Sequence, residues 1–232
     1  MLQKIRIRVA DAEKRAGRAP GSVTLIAVSK TVSVEQVTVA ARAGALDFGE
    51  NYVQEALKKK ESVRFLLGDL TPRWHLIGAL QTNKSKLVVG KFETIQSVDR
   101  LELARALDKR AQEAGVIQNI LLQVKLGDEP TKGGIEAAQL PNLIKQILSL
   151  KNLRLEGLMS LPPIEAEPEG SRKFFVQLRQ LREQLASLVP AELGSFAALS
   201  MGTTHDFEVA IEEGATMVRV GTGIFGGRET PA

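Results

Sequence analysis

Eight short apolar runs alternate with amphipathic stretches, a glycine-rich turn follows the last run, and no linker interrupts the 232 residues. Together these predict an α/β protein, a closed parallel (β/α)8 barrel of the TIM type with an extra N-terminal helix. Residues 1–232 read as a single domain, because nothing divides them into two cores. An open doubly wound sheet is the competing architecture. It would need a glycine fingerprint after the first strand, and SKTVS has none.

Residues 1–17 alternate charged and apolar side chains and form the additional helix over one end. They lack the long apolar segment of a secretory signal, so the chain is expected in the cytoplasm. The expected strands are residues 23–29, 46–50, 73–78, 94–98, 119–125, 153–160, 196–201 and 217–221. Helical patterns cover 33–43, 51–60, 82–89, 100–114, 136–149, 171–188 and 206–213. Asp99 before RLELARALDKRAQEAG fits an N-cap with Glu102 three residues on, and Gly115 sits where a terminating glycine belongs. Pro162-Pro163 and EAEPEG break the chain after the sixth strand, making 161–170 a loop.

Composition narrows the function. Hydrophobic residues at 44% and charged residues at 25% are ordinary for a globular protein. No apolar run approaches the roughly 20 residues of a bilayer crossing, so no membrane partner is expected. Cysteine is absent, which excludes disulfides, thiolate nucleophiles and cysteine metal sites, and with two histidines no histidine-rich metal site is expected. The net charge of +4 is spread among acidic residues and aromatics are only 4%, so it reads as a solvated surface, not a nucleic-acid face.

In such barrels the functional groups lie at the C-terminal ends of the strands. That rule selects Ser29-Lys30, Gly49-Glu50-Asn51, His75 through Gly78, Gln123-Val124-Lys125, Met159-Ser160, Ser200-Met201-Gly202 and Arg219-Val220-Gly221-Thr222. In MVRVGTGIFGG one arginine stands on an apolar strand that stops at a glycine-rich turn, where exposed backbone N–H groups can cradle a phosphate. Lys30 follows an apolar run, and partial desolvation at a barrel mouth would lower its pKa and leave an amine able to attack a carbonyl. Each feature also has a plain structural reading, a strand ending in an ordinary loop and a lysine reaching out to solvent. Closure makes the first and eighth strands neighbours, so Lys30 and the phosphate corner share one mouth. A carbonyl ligand carrying a phosphate fits, which leaves phosphorylated sugars of the aldolase type and pyridoxal phosphate.

The strings LIAVSKT, FGENYVQEA, WHLIGALQTNK, LRLEGLMSLPP, LSMG and MVRVGTGIFGGRE resemble the YggS/PROSC family of pyridoxal phosphate homeostasis proteins. The resemblance runs from about residue 2 to 229 in the same order and spacing, and it implies the barrel of the alanine racemase N-terminal domain. It implies that Lys30 forms a covalent aldimine with pyridoxal 5'-phosphate. Ser200, Gly202, Gly221 and Thr222 would hold the phosphate, with Met201 adding a backbone contact. Arg219 would face the pyridine nitrogen, and Asn51 the polar ring edge or the space beside the lysine. His75 would lie beneath or beside the ring or act as a structural histidine behind it. Glu50 and Tyr52 are evenly divided between a site role and a packing role. The chain departs from the family at GALQTNK for GPLQSNK, at Lys125 for an asparagine, and at Thr203-Thr204-His205-Asp206 for MSxD.

An arginine does not give up its proton, so it would leave the ring nitrogen unprotonated and the electron sink weak. Racemisation needs a base on each face, one of which alanine racemase takes from a C-terminal domain. This chain ends about ten residues after its last strand and has one tyrosine, Tyr52. The expectation is therefore a monomeric carrier involved in vitamin B6 balance, with no catalytic residues, which passes the cofactor to apo pyridoxal phosphate enzymes. A pyridoxal phosphate-dependent amino-acid racemase of the same fold is the alternative.

Overall fold

The computed structural model describes residues 1–127 and 133–227; Arg228 and Glu229, the end of the last family string, lie outside them. Nine strands are described: β1 (Thr24–Val28), β2 (Asp47–Glu50), β3 (Arg73–Leu76), β4 (Thr94–Val98), β5 (Gln118–Lys125), β6 (Ile135–Glu136), β7 (Leu153–Ser160), β8 (Ala198–Thr203) and β9 (Met217–Val220). Every pairing is parallel. The order β4-β3-β2-β1-β9-β8-β7-β5 closes through β4–β5 into an eight-stranded barrel, with β6 added to the end of β5.

The alternation of side chains across each strand divides the interior into two apolar layers. Phe48, Leu76, Ile95, Leu122, Leu199 and Val218 face the surrounding helices and join the main core. Leu121, Met159 and Ala198 face the barrel axis and pack with Met217. The helices are α1 (Leu2–Arg15), α2 (Val34–Arg42), α3 (Val53–Leu67), α4 (Ser85–Val88), α5 (Leu101–Ala114), α6 (Leu140–Ile147), α7 (Arg172–Leu185), α8 (Phe207–Glu212) and α9 (Thr222–Phe225). Among the described residues no helix is long and apolar enough to cross a membrane.

All eight barrel strands fall where the apolar runs place them, within a residue or two at most ends. Three expectations need correction. The helix at 1–17 does not cover an end of the barrel. It stands in the outer wall, because Arg8 and Arg15 bind Glu208 and Glu212 on α8, while Arg6 donates to the carbonyls of Ala43 and Gly44 after α2. Its apolar residues Ile5, Val9 and Ala12 then join the main core. Asp99 is not the cap of α5; Arg100 holds that position and binds the Asp99 carboxylate at 2.6 Å, whereas Gly115 ends the helix in the left-handed conformation. The stretch 136–149 opens with strand β6 and a 3-10 turn, so its α-helix begins only at Leu140.

The segment after β1 is fixed by a capping box. Ser33 accepts from the Gln36 N–H and Gln36 accepts from the Ser33 N–H, an arrangement worth about 1 kcal/mol to a helix end. Glu13, buried on α1, accepts from the N–H groups of Gly21 and Val23 and from the Ser22 hydroxyl, fixing the entry to β1.

Candidate functional site

Lys30 follows β1 at the C-terminal mouth and is half-buried. Ser29 turns its side chain outward to Glu50, so strand alternation puts Lys30 in the inward phase of Ile26 and Val28. Among the described residues its amine makes no hydrogen bond or ion pair. The residues on either side of it are tied down. Lys59 on α3 donates to the Ser29 carbonyl at 2.6 Å, to Glu50 Oε1 at 2.8 Å and to Glu55 Oε1 at 2.8 Å. The same Glu55 oxygen accepts from the Thr31 N–H at 2.7 Å.

The two carboxylates that share Lys59 shift in opposite directions. For Glu50, burial pushes the pKa up and outweighs the hydrogen bonds from Lys59 and Ser29. Glu55 is more exposed, so the weaker burial penalty is overcome by Lys59 and the Thr31 N–H, and its pKa falls. Glu50 Oε2 is buried without a partner among the described residues.

Arg219 on β9 lies inside the barrel, 3% exposed. Its Nη1 donates to Ser200 Oγ at 2.5 Å and its Nη2 to the Ser160 carbonyl at 2.7 Å. Ser200 in turn donates to Gln96 Oε1 on β4 at 2.6 Å, which spans the barrel. Burial pushes the guanidinium pKa down to about 10, partly offset by the charge of Asp206, so the group stays protonated at neutral pH. These bonds occupy two of its five N–H donors. No carboxylate touches it among the described residues, which leaves a buried cation suited to an acceptor supplied by a ligand.

The β8–β9 corner is assembled from Thr203, Thr204 and the turn into α9. The Asp206 carboxylate accepts from the N–H and the hydroxyl of Thr203 at 2.7 and 3.1 Å, shaping the loop after β8. Gly221, expected to turn its N–H to a phosphate, donates to Thr204 Oγ1 at 3.2 Å. Thr222 is exposed and opens α9, whose first N–H groups have no acceptor within the helix. The Ser200 hydroxyl stands beside Arg219 instead of in this corner. Gly202 is pressed against α8, where an added Cβ would lie 2.6 Å from the Ala210 Cβ, and the Met201 side chain is in the outer core. Both reach the mouth only through backbone. His205 is exposed, and Lys125 forms an ion pair with Glu136 at 3.1 Å.

Asn51 follows β2, and its Oδ1 is buried with no partner among the described residues. Gly78 lets the backbone after β3 approach Asn51 closely: a Cβ there would lie 2.3 Å from the Asn51 carbonyl oxygen. His75 faces inward and its Nε2 meets Asp47 Oδ1 at 3.0 Å, while its Nδ1 is buried with no partner among the described residues. Tyr52 is exposed at the start of α3, which favours neither a cofactor contact nor a packing role. Sequence reasoning passed over Lys59, Glu55 and Gln96. Only Gln96 left a signal, as a polar residue in the inward phase of an apolar strand.

A free amine, a buried guanidinium without a carboxylate, a glycine-and-threonine corner and the unpartnered Asn51 Oδ1 fit a planar aldehyde that carries a phosphate. The fold and this site define a barrel of the racemase type with a lysine at its mouth. The family described as alanine racemase, N-terminal domain, matches residues 1–229. The pyridoxal phosphate homeostasis protein of Aquifex aeolicus is 44% identical over 228 residues, covering 98% of this chain and 97% of the relative. That of Escherichia coli K12 is 41% identical over 229 residues, covering 98% and 95%. PipY of Synechococcus elongatus, in a structure with PLP bound, superposes with a TM-score of 0.81 at 36% identity, covering 94% of this chain and all of that one. The alanine racemase of Clostridium difficile shares the fold at 14% identity and a TM-score of 0.73, this chain covering 58% of its length. The chain belongs to the pyridoxal phosphate homeostasis family, built on the alanine racemase N-terminal barrel.

Proposed function

We propose that this protein holds pyridoxal 5'-phosphate on Lys30 as a Schiff base and takes part in vitamin B6 balance within the cell. The observation that carries the reading is that β1, which ends at the Lys30 amine, pairs with β9, which carries the buried Arg219; among the described residues neither group meets a carboxylate. The cofactor, when bound, supplies an aldehyde for the amine and a ring that stabilises carbanions. Arg219 would donate to the pyridine nitrogen, and because it keeps its proton it would leave that nitrogen unprotonated. The ring is then a poor electron sink, which suits holding and exchange more than turnover. Thr204 offers its hydroxyl and the start of α9 its N–H groups to the phosphate, and Asn51 offers its carbonyl oxygen to the ring edge. Apo pyridoxal phosphate enzymes are the acceptors proposed for the released cofactor, and a monomer suffices for this role.

Titration of cofactor-free protein with pyridoxal phosphate tests the reading. The visible absorbance of a lysine adduct should develop in the wild type and be absent from Lys30→Ala. Equal development in both proteins would defeat it. Incubation with amino acids in deuterated water separates the carrier from a racemase, since sustained α-carbon exchange with inversion would establish the enzyme.

A further inference from the structure

The chain immediately after Lys30 adopts a conformation that β-branched residues rarely take. Thr31 has φ +62°, in the left-handed region, which a threonine occupies only when its surroundings impose it. The surroundings are identifiable. The Thr31 N–H is taken by Glu55 Oε1 at 2.7 Å and its hydroxyl donates to the Lys30 carbonyl at 2.6 Å. On the other side of Lys30, the Ser29 carbonyl is held by Lys59 at 2.6 Å and the Ser29 hydroxyl by Glu50 at 2.7 Å. Lys59 joins the two halves, since it binds Glu50 and Glu55 with equal 2.8 Å contacts while being 5% exposed.

From this arrangement we infer that Lys59, with Glu50 and Glu55, is a positioning device for Lys30: an ionic clamp from α3 and β2 that forces the backbone of residues 29–31 into a strained turn and so aims the Lys30 amine into the barrel. None of the three clamp side chains needs to touch the ligand. They lie on the outer side of the β1 end, behind the residue they orient. A simple structural ion pair would bridge α3 to β2 and leave the 29–31 backbone alone; here three of the contacts go to that backbone or to its immediate side chain. The inference rests on Lys30 being the cofactor's lysine.

The test uses Glu55→Ala, because Glu55 is the most exposed member and its loss leaves the buried Lys59–Glu50 pair intact. The full chain is loaded with pyridoxal phosphate, and its rate of loss to a carbonyl scavenger is measured alongside the melting temperature of the cofactor-free protein. E55A should release the cofactor about 10-fold faster, the scale expected when a reacting group is misplaced by less than an ångström, with little change in melting temperature. Thr31→Gly in the E55A background should recover most of that loss, because glycine adopts φ +62° without being forced. Release from E55A at the wild-type rate, or a double variant no better than E55A, would overturn the positioning role. Lys30→Ala keeps the two readings apart. If it still forms the adduct, the assignment of Lys30 fails and the clamp inference falls with it. If the adduct needs Lys30 but E55A behaves as wild type, only the clamp inference fails.

Discussion

Lys59 and Arg219 are both buried cations near the C-terminal end of the barrel, yet their surroundings differ in kind. Lys59 Nζ has two carboxylates and a carbonyl within 2.8 Å. Among the described residues Arg219 binds one hydroxyl and one carbonyl, and burial, only partly offset by the charge of Asp206, lowers its pKa to about 10. The difference separates scaffolding from function. A charge whose partners are all supplied by the protein holds something in place, and here it holds the backbone around Lys30. A charge left short of partners is the one that the proposed ligand would complete.

The comparison can be broken most decisively at the Lys30 amine. Lys30→Ala should abolish covalent retention of pyridoxal phosphate, as read by the pyridoxyl mass that survives reduction and denaturation. The next effect is a contrast of sign in the cofactor-free protein. Lys59→Met leaves Glu50 buried without its cation and should cost about 3–5 kcal/mol in denaturant unfolding. Arg219→Met removes an uncompensated buried charge and should leave the unfolding midpoint unchanged or raised, while weakening cofactor retention at equilibrium dialysis. Equal destabilisation by both substitutions would erase the distinction drawn between them.

A third cluster sharpens the contrast from the base of the barrel. Burial opposes ionisation of Asp47, but the hydrogen bonds from His75 and Arg73 outweigh it and hold its pKa below the ordinary value. The unfolded chain therefore binds the proton more readily. The stability this carboxylate contributes is present above its unfolded pKa, about 3.9, and is lost as the pH falls through the lower folded value. Melting temperatures between pH 7 and 2.5 should fall less steeply for Asp47→Asn than for the wild type. At the small end, Lys125→Asn removes a partly exposed pair with Glu136 and should change stability by less than about 1 kcal/mol.

The barrel was legible because each strand is an apolar run that ends in polar residues, and parallel strands buried on both faces leave that trace. Lys30, Arg219 and the GTG turn were legible as strand-end residues for the same reason. The clamp was not. Lys59 is the middle of three consecutive lysines, Lys58, Lys59 and Lys60, and only the packing of α3 against the barrel decides which of them is buried. α9 was hidden because its four residues lie inside a glycine-rich string too short to show a helical period. The Ser200 hydroxyl was expected at the phosphate, since its place at a strand end cannot reveal that Gln96 and Arg219 engage it from inside the barrel.

The central claim is that Lys30, of all the lysines in this chain, carries the cofactor. Protein loaded with pyridoxal phosphate, reduced with borohydride and digested should yield one pyridoxyl-modified peptide, containing residues 29–31 and modified at Lys30. A modification at Lys59 or Lys60, or no retained pyridoxyl mass, would contradict the account.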